Sequence, residues 1–151
     1  MTDIKLRKIC DVSPALAFET VKNFNAYPEF LPWCAGARLK SSETDAKGRE
    51  VFIADLIIAY KGFSESFTTE VTCDPTIKKI DIKYLKGPFK KLSSYWRFDD
   101  VKGDESKSEI EFMINFEFKS MIFSKIVSVF FEEAMRKMIS AFEKRFVEIQ
   151  L

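Results

Sequence analysis

The chain has 151 residues, of which 24 are basic, 23 acidic and none histidine, for a net charge of +1. So even a balance argues against a dominant phosphate-binding surface. The absence of histidine removes the usual general base, the usual partner of a nucleophilic Ser or Cys, and the commonest zinc ligand together. The 16 phenylalanines supply much of the apolar volume, and rings pack with angular gaps that other rings or an apolar ligand must fill.

Three cysteines, Cys10, Cys34 and Cys73, are odd in number and widely spaced, so they form neither a metal motif nor a closed disulfide set. They suit a reducing compartment as small buried residues. No apolar run reaches the roughly 18 residues of a membrane span; Met121 to Phe131 is interrupted by Ser124, Lys125 and Ser128. The chain enters a strand pattern almost at once, without a signal or transit pattern, so the expectation is a soluble cytoplasmic protein or the mature form of a processed one.

In chain order, Ile4, Leu6 and Ile9 among Lys5, Arg7 and Lys8 predict a first strand. Ser13-Pro14 reads as an N-cap with proline at the first helical position, opening a short helix through Leu16, Ala17, Thr20, Val21 and Phe24 that ends near Asn25. Residues Tyr27 to Cys34 are too rich in proline for a long helix and too apolar for a free loop, which predicts a helical turn lying on something hydrophobic. Strands are then expected at Arg38–Glu43, Glu50–Tyr60, Phe63–Cys73, Ile77–Leu85, Lys91–Phe98 and Ser108–Phe118, with turns at Thr44–Gly48, Lys61-Gly62, Asp74–Thr76, Lys86–Phe89 and Gly103–Glu105. From Ser120 to Gln150, Phe123, Val127, Phe130, Phe131, Ala134, Met135, Met138, Phe142, Phe146 and Ile149 recur at three- and four-residue steps. That is a helix with a wide apolar stripe, on the order of 45 Å long. Antiparallel strands with one apolar face and one long helix predict an α+β fold in which a curved sheet of about seven strands wraps the helix, as one domain over residues 1–151.

A two-residue turn at Lys61-Gly62 fixes a register in which Tyr60 faces Phe63, Ile58 faces Glu65 and Leu56 faces Phe67. Phe63, Phe67 and Val71 then point inward, and parity brings Glu65 and Thr69 with them, beside Phe52, Leu56, Ile58 and Tyr60. A carboxylate there sits at a rim, bonds a tyrosine or arginine, or faces a wet cavity. The same parity puts Val51, Ile53, Ile57 and Ala59 on the opposite face. Two covers suit that outer patch, the N-terminal helix or a partner or membrane surface, and the chain's own helix is favoured.

Catalytic signals are few. The sequence has no phosphate-binding glycine loop, no Gly-x-Ser-x-Gly elbow and no paired metal cysteines. Asp99-Asp100 and Glu132-Glu133 fall in a turn and on a charged helix face, where carboxylates are usually solvated. Glu65, or a buried Tyr84 or Tyr95, would be the acid-base candidate, but one interior carboxylate is a weak signal. Lys78, Lys79, Lys83, Lys86, Lys90 and Lys91 surround a Gly-Pro-Phe turn, as a contact for anionic headgroups or RNA or as lysines that block edge aggregation.

The segments Tyr27 to Cys34, Tyr60-Lys61-Gly62 with Glu65-Ser66-Phe67, Gly87-Pro88-Phe89 with Leu92, Trp96 and Phe98, Phe116 to Ser120, and Phe142 with Arg145 resemble the coenzyme Q-binding START-like family, within the wider polyketide cyclase and START-like superfamily. The resemblance spans nearly the whole chain. It implies a helix-grip fold with an apolar tunnel between sheet and helix, and a ubiquinone or similar polyprenyl ligand carried or presented for respiration rather than turned over; with no histidine and no metal motif in the sequence, neither a cofactor besides that ligand nor a metal is expected. For a bacterial branch it implies a toxin that blocks association of ribosomal subunits. Asn115 stands where many relatives place an acid, and Phe146 where a small residue is common.

The expected tunnel is lined by Phe52, Leu56, Tyr60, Phe67, Ile82, Tyr84, Trp96, Phe112, Ile114 and Phe116 from the sheet and by Phe130, Met135 and Met138 from the helix. Phe30, Leu31 and Trp33 form a lid, and Glu65 and Tyr84 are the expected head-group contacts. The expected protein is a non-enzymatic carrier in the bacterial cytoplasm, touching the inner membrane only transiently. The alternatives are a ribosome-directed toxin acting through its surface lysines and, with less support, a cyclase or dehydratase.

Overall fold

The structure, a computed structural model, describes residues 2–60 and 62–150, with the side chains of all of these but Thr2, Tyr60 and Phe63. Strand β1 (Thr2–Cys10) leads into helix α1 (Pro14–Lys22), a single 3-10 turn (Phe24–Ala26) and the short helix α2 (Tyr27–Phe30). Strands β2 (Cys34–Thr44), β3 (Glu50–Tyr60), β4 (Phe63–Asp74), β5 (Lys79–Lys86), β6 (Phe89–Val101) and β7 (Asp104–Phe118) follow, and helix α3 (Met121–Ile149) ends the chain. The strands form one antiparallel curved sheet in the order β1-β7-β6-β5-β4-β3-β2, so only the β1–β7 pairing departs from simple hairpin neighbours.

Local signals set most of these bounds. The Ser13 hydroxyl accepts a hydrogen bond from the Leu16 amide at 3.3 Å, with Pro14 in the first turn of α1. That helix stops at Lys22, short of the expected Asn25, because Asn23 leaves the helical region at ψ 65° and the chain tightens into the 3-10 turn. Tyr60 pairs with Phe63, Ile58 with Glu65 and Leu56 with Phe67, so the hairpin register read from Lys61-Gly62 is the one observed, although Lys61 itself lies outside the described residues.

Three strands extend further than the apolar alternation alone indicates. β2 begins at Cys34 rather than Arg38, pairing Cys34 with Ile58 across two register shifts. β7 starts at Asp104, because the polar stretch before Ser108 still pairs at the turn, Val101 opposite Asp104. β6 starts at Phe89, which pairs with Phe118, so the turn after β5 reduces to Gly87-Pro88. Gly87 is required there: at φ +146° a Cβ would lie 2.7 Å from the Phe67 Cβ, nearer than carbon atoms can pack.

The interior is two aromatic clusters on one face of the sheet. In the larger, Ala17, Phe18 and Val21 of α1 and Met138, Phe142 and Phe146 of α3 meet Ile80, Trp96, Phe98 and Ile110 of the sheet. The smaller gathers Phe67, Phe89, Phe116 and Phe118 under Phe123, Val127 and Phe131 at the start of α3. Leu56 and Ile114 touch both clusters. Since α1 packs Phe18 against Phe98 on this inner face, with ring centroids 6.0 Å apart, it does not cover the outer face of β3 as expected. Ile57 stays exposed there.

Both ends of α3 are fixed. The Ser120 hydroxyl caps it by accepting from the Phe123 amide, and the Gln150 side-chain amide donates to the Asp11 carbonyl at 3.0 Å beyond β1. The helix therefore crosses the sheet from the end where β7 finishes to the end where β1 does.

Candidate functional site: an apolar cavity under the C-terminal helix

Between the two aromatic clusters lies a cavity of about 220 Å³. One enclosed water needs roughly 10–15 Å³, so the space holds a sizeable organic group. Its floor is the inward parity of the sheet, and its roof is the α3 stripe from Ile126 to Phe142. The Tyr27, Leu31 and Trp33 side chains close one flank. Among the lining residues Ile126 is the most exposed, at 40 %. The mouth therefore lies beside the first half of α3.

Most of the expected wall is in place. Leu31, Trp33, Leu56, Phe67, Ile82, Trp96, Phe112, Ile114, Phe116, Phe130, Met135 and Met138 all line the cavity. Four expected residues do not. Phe30 turns its ring to Phe142 at 5.2 Å, with the Arg145 guanidinium 5.0 Å from its face, and so packs behind the wall. Phe52 packs against Phe24 at 5.9 Å and belongs to the solid core at the far end of β3. Glu65 shares the inward parity but is half-buried near the hairpin end, a rim position outside the lining. Tyr84 uses its hydroxyl to accept from the Phe89 amide at 3.1 Å, holding the turn together where the β5–β6 ladder has ended. The side chain of Tyr60 lies outside the described residues.

The wall also contains residues that sequence reasoning missed. Phe89 and Phe118 stack at 4.7 Å and line the cavity together with Leu92 and Phe131. Phe118 belongs to the clean β7 alternation and could have been found from it. Phe89 was hidden by being assigned to a turn. Tyr27 was read only as part of an apolar turn, yet its ring packs on Phe142 at 5.6 Å and its edge reaches the cavity.

Few polar groups reach this wall. Burial works against the Lys22 ammonium, but hydrogen bonds from it to Glu50 and Glu19 hold its pKa above the ordinary value. The Tyr27 hydroxyl donates to the Val21 carbonyl, and burial pushes its pKa far up. Ser94 donates to the Met113 carbonyl at 2.8 Å. These three are committed. Thr69 is buried in the wall, and its hydroxyl makes no hydrogen bond with any described group. The Trp33 indole N–H is buried without an acceptor among the described residues, and a buried donor left unpaired costs on the order of 1–3 kcal/mol. Thr69 and Trp33 thus offer unused hydrogen-bonding capacity, and the committed groups supply no free acid-base pair.

The family described as polyketide cyclase / dehydrase and lipid transport matches residues 10–143. Over 152 aligned residues the chain is 36 % identical to the ribosome association toxin RatA of Rickettsia prowazekii, with 99 % of each covered. It is 29 % identical over 140 residues to the mitochondrial coenzyme Q-binding protein COQ10 homolog B of Xenopus laevis; the match takes in 91 % of the chain and 55 % of that protein, so the chain spans about half its length. Among solved structures, a START superfamily protein of Mycobacterium smegmatis superposes with a TM-score of 0.80 at 19 % identity, over 97 % of this chain and 98 % of that one, which makes the fold START-like.

Proposed function

The chain belongs to the polyketide cyclase/dehydrase and lipid transport family, and we propose that it binds ubiquinone or a similar polyprenyl lipid in the cavity under α3, carrying or presenting it for respiratory electron transport without chemical turnover. The observation that carries this reading is the wall itself: about 220 Å³ of space between sheet and helix, bounded by aromatic and aliphatic side chains. An isoprenoid tail needs apolar area, worth roughly 25 cal/mol per Å² buried before the costs of association. A quinone head presents acceptor oxygens and needs one or two hydrogen bonds, for which the Thr69 hydroxyl and the Trp33 indole N–H are the uncommitted donors in the wall, whereas Glu65 lies at the rim and Tyr84 outside the lining. The likeness to a coenzyme Q-binding protein supports the choice of ligand class.

The test is native mass spectrometry with lipid extraction on protein freshly purified from a quinone-producing host, followed by titration with added quinone. Trp33 and Trp96 both line the cavity, so a bound quinone should quench their fluorescence saturably. The absence of both co-purified lipid and saturable quenching by quinone would overturn the reading.

A second reading, a ribosome-directed toxin, draws support from the full-length likeness to a ribosome association toxin. It requires the purified protein to lower the fraction of joined ribosomes and charge reversal at Lys78, Lys79, Lys86 and Lys90 to abolish the effect. Unchanged ribosome profiles would count against it. A cyclase or dehydratase needs an acid-base pair beside the substrate, and with Glu65 at the rim that reading has the least support.

A further inference from the structure

The first half of α3 does something an ordinary packing helix does not. Its inner side covers the cavity through Val127, Phe130 and Phe131, while its outer side is also apolar. Met121 is 77 % exposed, Ile122 71 % and Val129 73 %. Ile122, Ile126 and Val129 recur at four- and three-residue steps, so they form one strip, and the exposed Ile126 belongs to the cavity mouth as well. Beyond Val129 the helix surface changes to Glu132, Glu133, Arg136 and Lys137 and the strip ends.

Lysines surround this strip. The Lys119 amide donates to the Pro88 carbonyl at 2.9 Å, which holds the Gly87-Pro88 turn against the start of α3. Lys86 and Lys90 flank that turn, Lys119 precedes the helix cap, and Lys125 stands within the strip. All four are exposed, and none forms an ion pair among the described residues. In a chain of net charge +1, this is a local segregation of positive charge. The nearest acids on these elements are Glu117, opposite Lys91, and Glu132 at the end of the strip.

We propose that the Met121–Val129 face of α3, with Lys86, Lys90, Lys119 and Lys125, docks on an anionic lipid bilayer with the cavity mouth against the membrane. The chemistry selects this occupant. Aliphatic side chains gain by leaving water for the acyl boundary, and an ammonium near an anionic surface is favoured by about 1 kcal/mol. A nucleic acid would match the lysines but not the strip, because bases stack on aromatic platforms and the exposed side chains here are aliphatic. No described helix is long and apolar enough to cross a membrane, and α3 would lie along the surface. The inference goes beyond the proposed ligand and does not depend on its identity, since it rests on the outer strip and the lysines.

The test is flotation of the full chain with vesicles of pure phosphatidylcholine and with vesicles in which about a quarter of the lipid is phosphatidylglycerol. Binding is expected to the anionic vesicles only and to weaken as salt rises. The pair Ile122→Glu with Val129→Glu, and separately Lys86→Glu with Lys119→Glu, should each lower the partition coefficient by roughly tenfold or more. Lys47→Glu, in the β2–β3 turn at the opposite end of the strands, should leave it unchanged. These positions are exposed, so unaltered thermal melts keep the comparison fair. Absence of vesicle binding, equal binding to both vesicle types, or binding insensitive to the two pairs would overturn the proposal. So would a concentration-dependent dimer lost in the Ile122/Val129 pair, which gives the face to a second copy, or RNA binding in place of vesicle binding. Protein that carries quinone but ignores vesicles refutes docking alone; protein that docks but carries no lipid refutes only the proposed ligand.

Discussion

Glu111 stands on the outer face of β7, yet it is only 2 % exposed. The long side chains of its neighbours cover it: Arg7 reaches its carboxylate at 2.9 Å, Lys5 at 3.4 Å and Arg97 at 3.5 Å, and the Tyr95 hydroxyl donates at 3.2 Å. The hydrogen bond from Arg7, opposed by burial and helped by Tyr95 and Lys5, holds its pKa below the usual carboxylate value. A depressed folded-state pKa means that the unfolded chain takes up the proton first. The stabilisation is therefore present at neutral pH and is lost as pH falls from the ordinary carboxylate range through the lower folded value. Glu111→Gln is expected to lower the melting temperature at pH 7, and the difference from the parent should shrink steadily in acid. A pH-independent difference would show that packing, and not charge, makes the contribution. No residue-scale reading of the sequence singled out Glu111, because alternation assigns it to solvent, and the cover comes from β6 and from β1, a strand distant in sequence. Glu65 illustrates the opposite case: parity gave its face correctly, but depth along the strand decides whether a side chain reaches the cavity, and a period of two carries no information on depth.

At the scale of elements, α3 is two helices in energetic terms. Met138, Phe142 and Phe146 are buried, and the Phe142 ring touches Tyr27, Phe30, Trp96 and Phe146. The first half instead roofs a space and carries exposed apolar residues on its other side. Phe142→Ala should cost about 3–5 kcal/mol in urea unfolding, and Ile122→Ala should stay within about 0.5 kcal/mol of the parent. Backbone amides of residues 121–131 should exchange with solvent faster than those of residues 138–146, because fewer buried contacts oppose local opening. Equal protection along the helix would contradict this division. The stripe was legible in the sequence as a single 3.6-residue period, and its extent from Ser120 to Gln150 agrees with the observed Met121–Ile149. Its division was not, since periodicity reports which side is apolar and is silent on what that side meets. The same holds for β6: Lys86 to Phe89 reads as one turn by composition, and only the pairing with Phe118 shows that Phe89 is already in the strand.

For the whole molecule, strand number, order of elements and the inner face of the sheet follow from alternation and one hairpin register, because antiparallel neighbours joined by short turns leave little freedom of topology. The cavity does not follow in that way. It exists because the Phe-rich clusters close on themselves at either end of α3, and whether facing rings interlock or stand apart depends on angles that the sequence does not encode locally. Such a space forfeits contacts that a filled core would make, so a substitution that fills it should be harmless or stabilising to the fold and damaging to binding. Ala134 lines the cavity from α3 and suits this test. In lipid-free protein, Ala134→Phe is expected to leave the melting temperature unchanged or raise it by a few degrees, while lipid co-purification and quinone quenching fall sharply. Ala134→Met, being more adaptable, should give an intermediate loss. Were the interior to close into a dry, filled core in solution, the added ring would overpack it at a cost of about 1–3 kcal/mol, and the melting temperature would fall instead. The sign of that shift separates a standing cavity from a collapsed one, and the accompanying change in bound lipid tells whether the space is where the ligand resides.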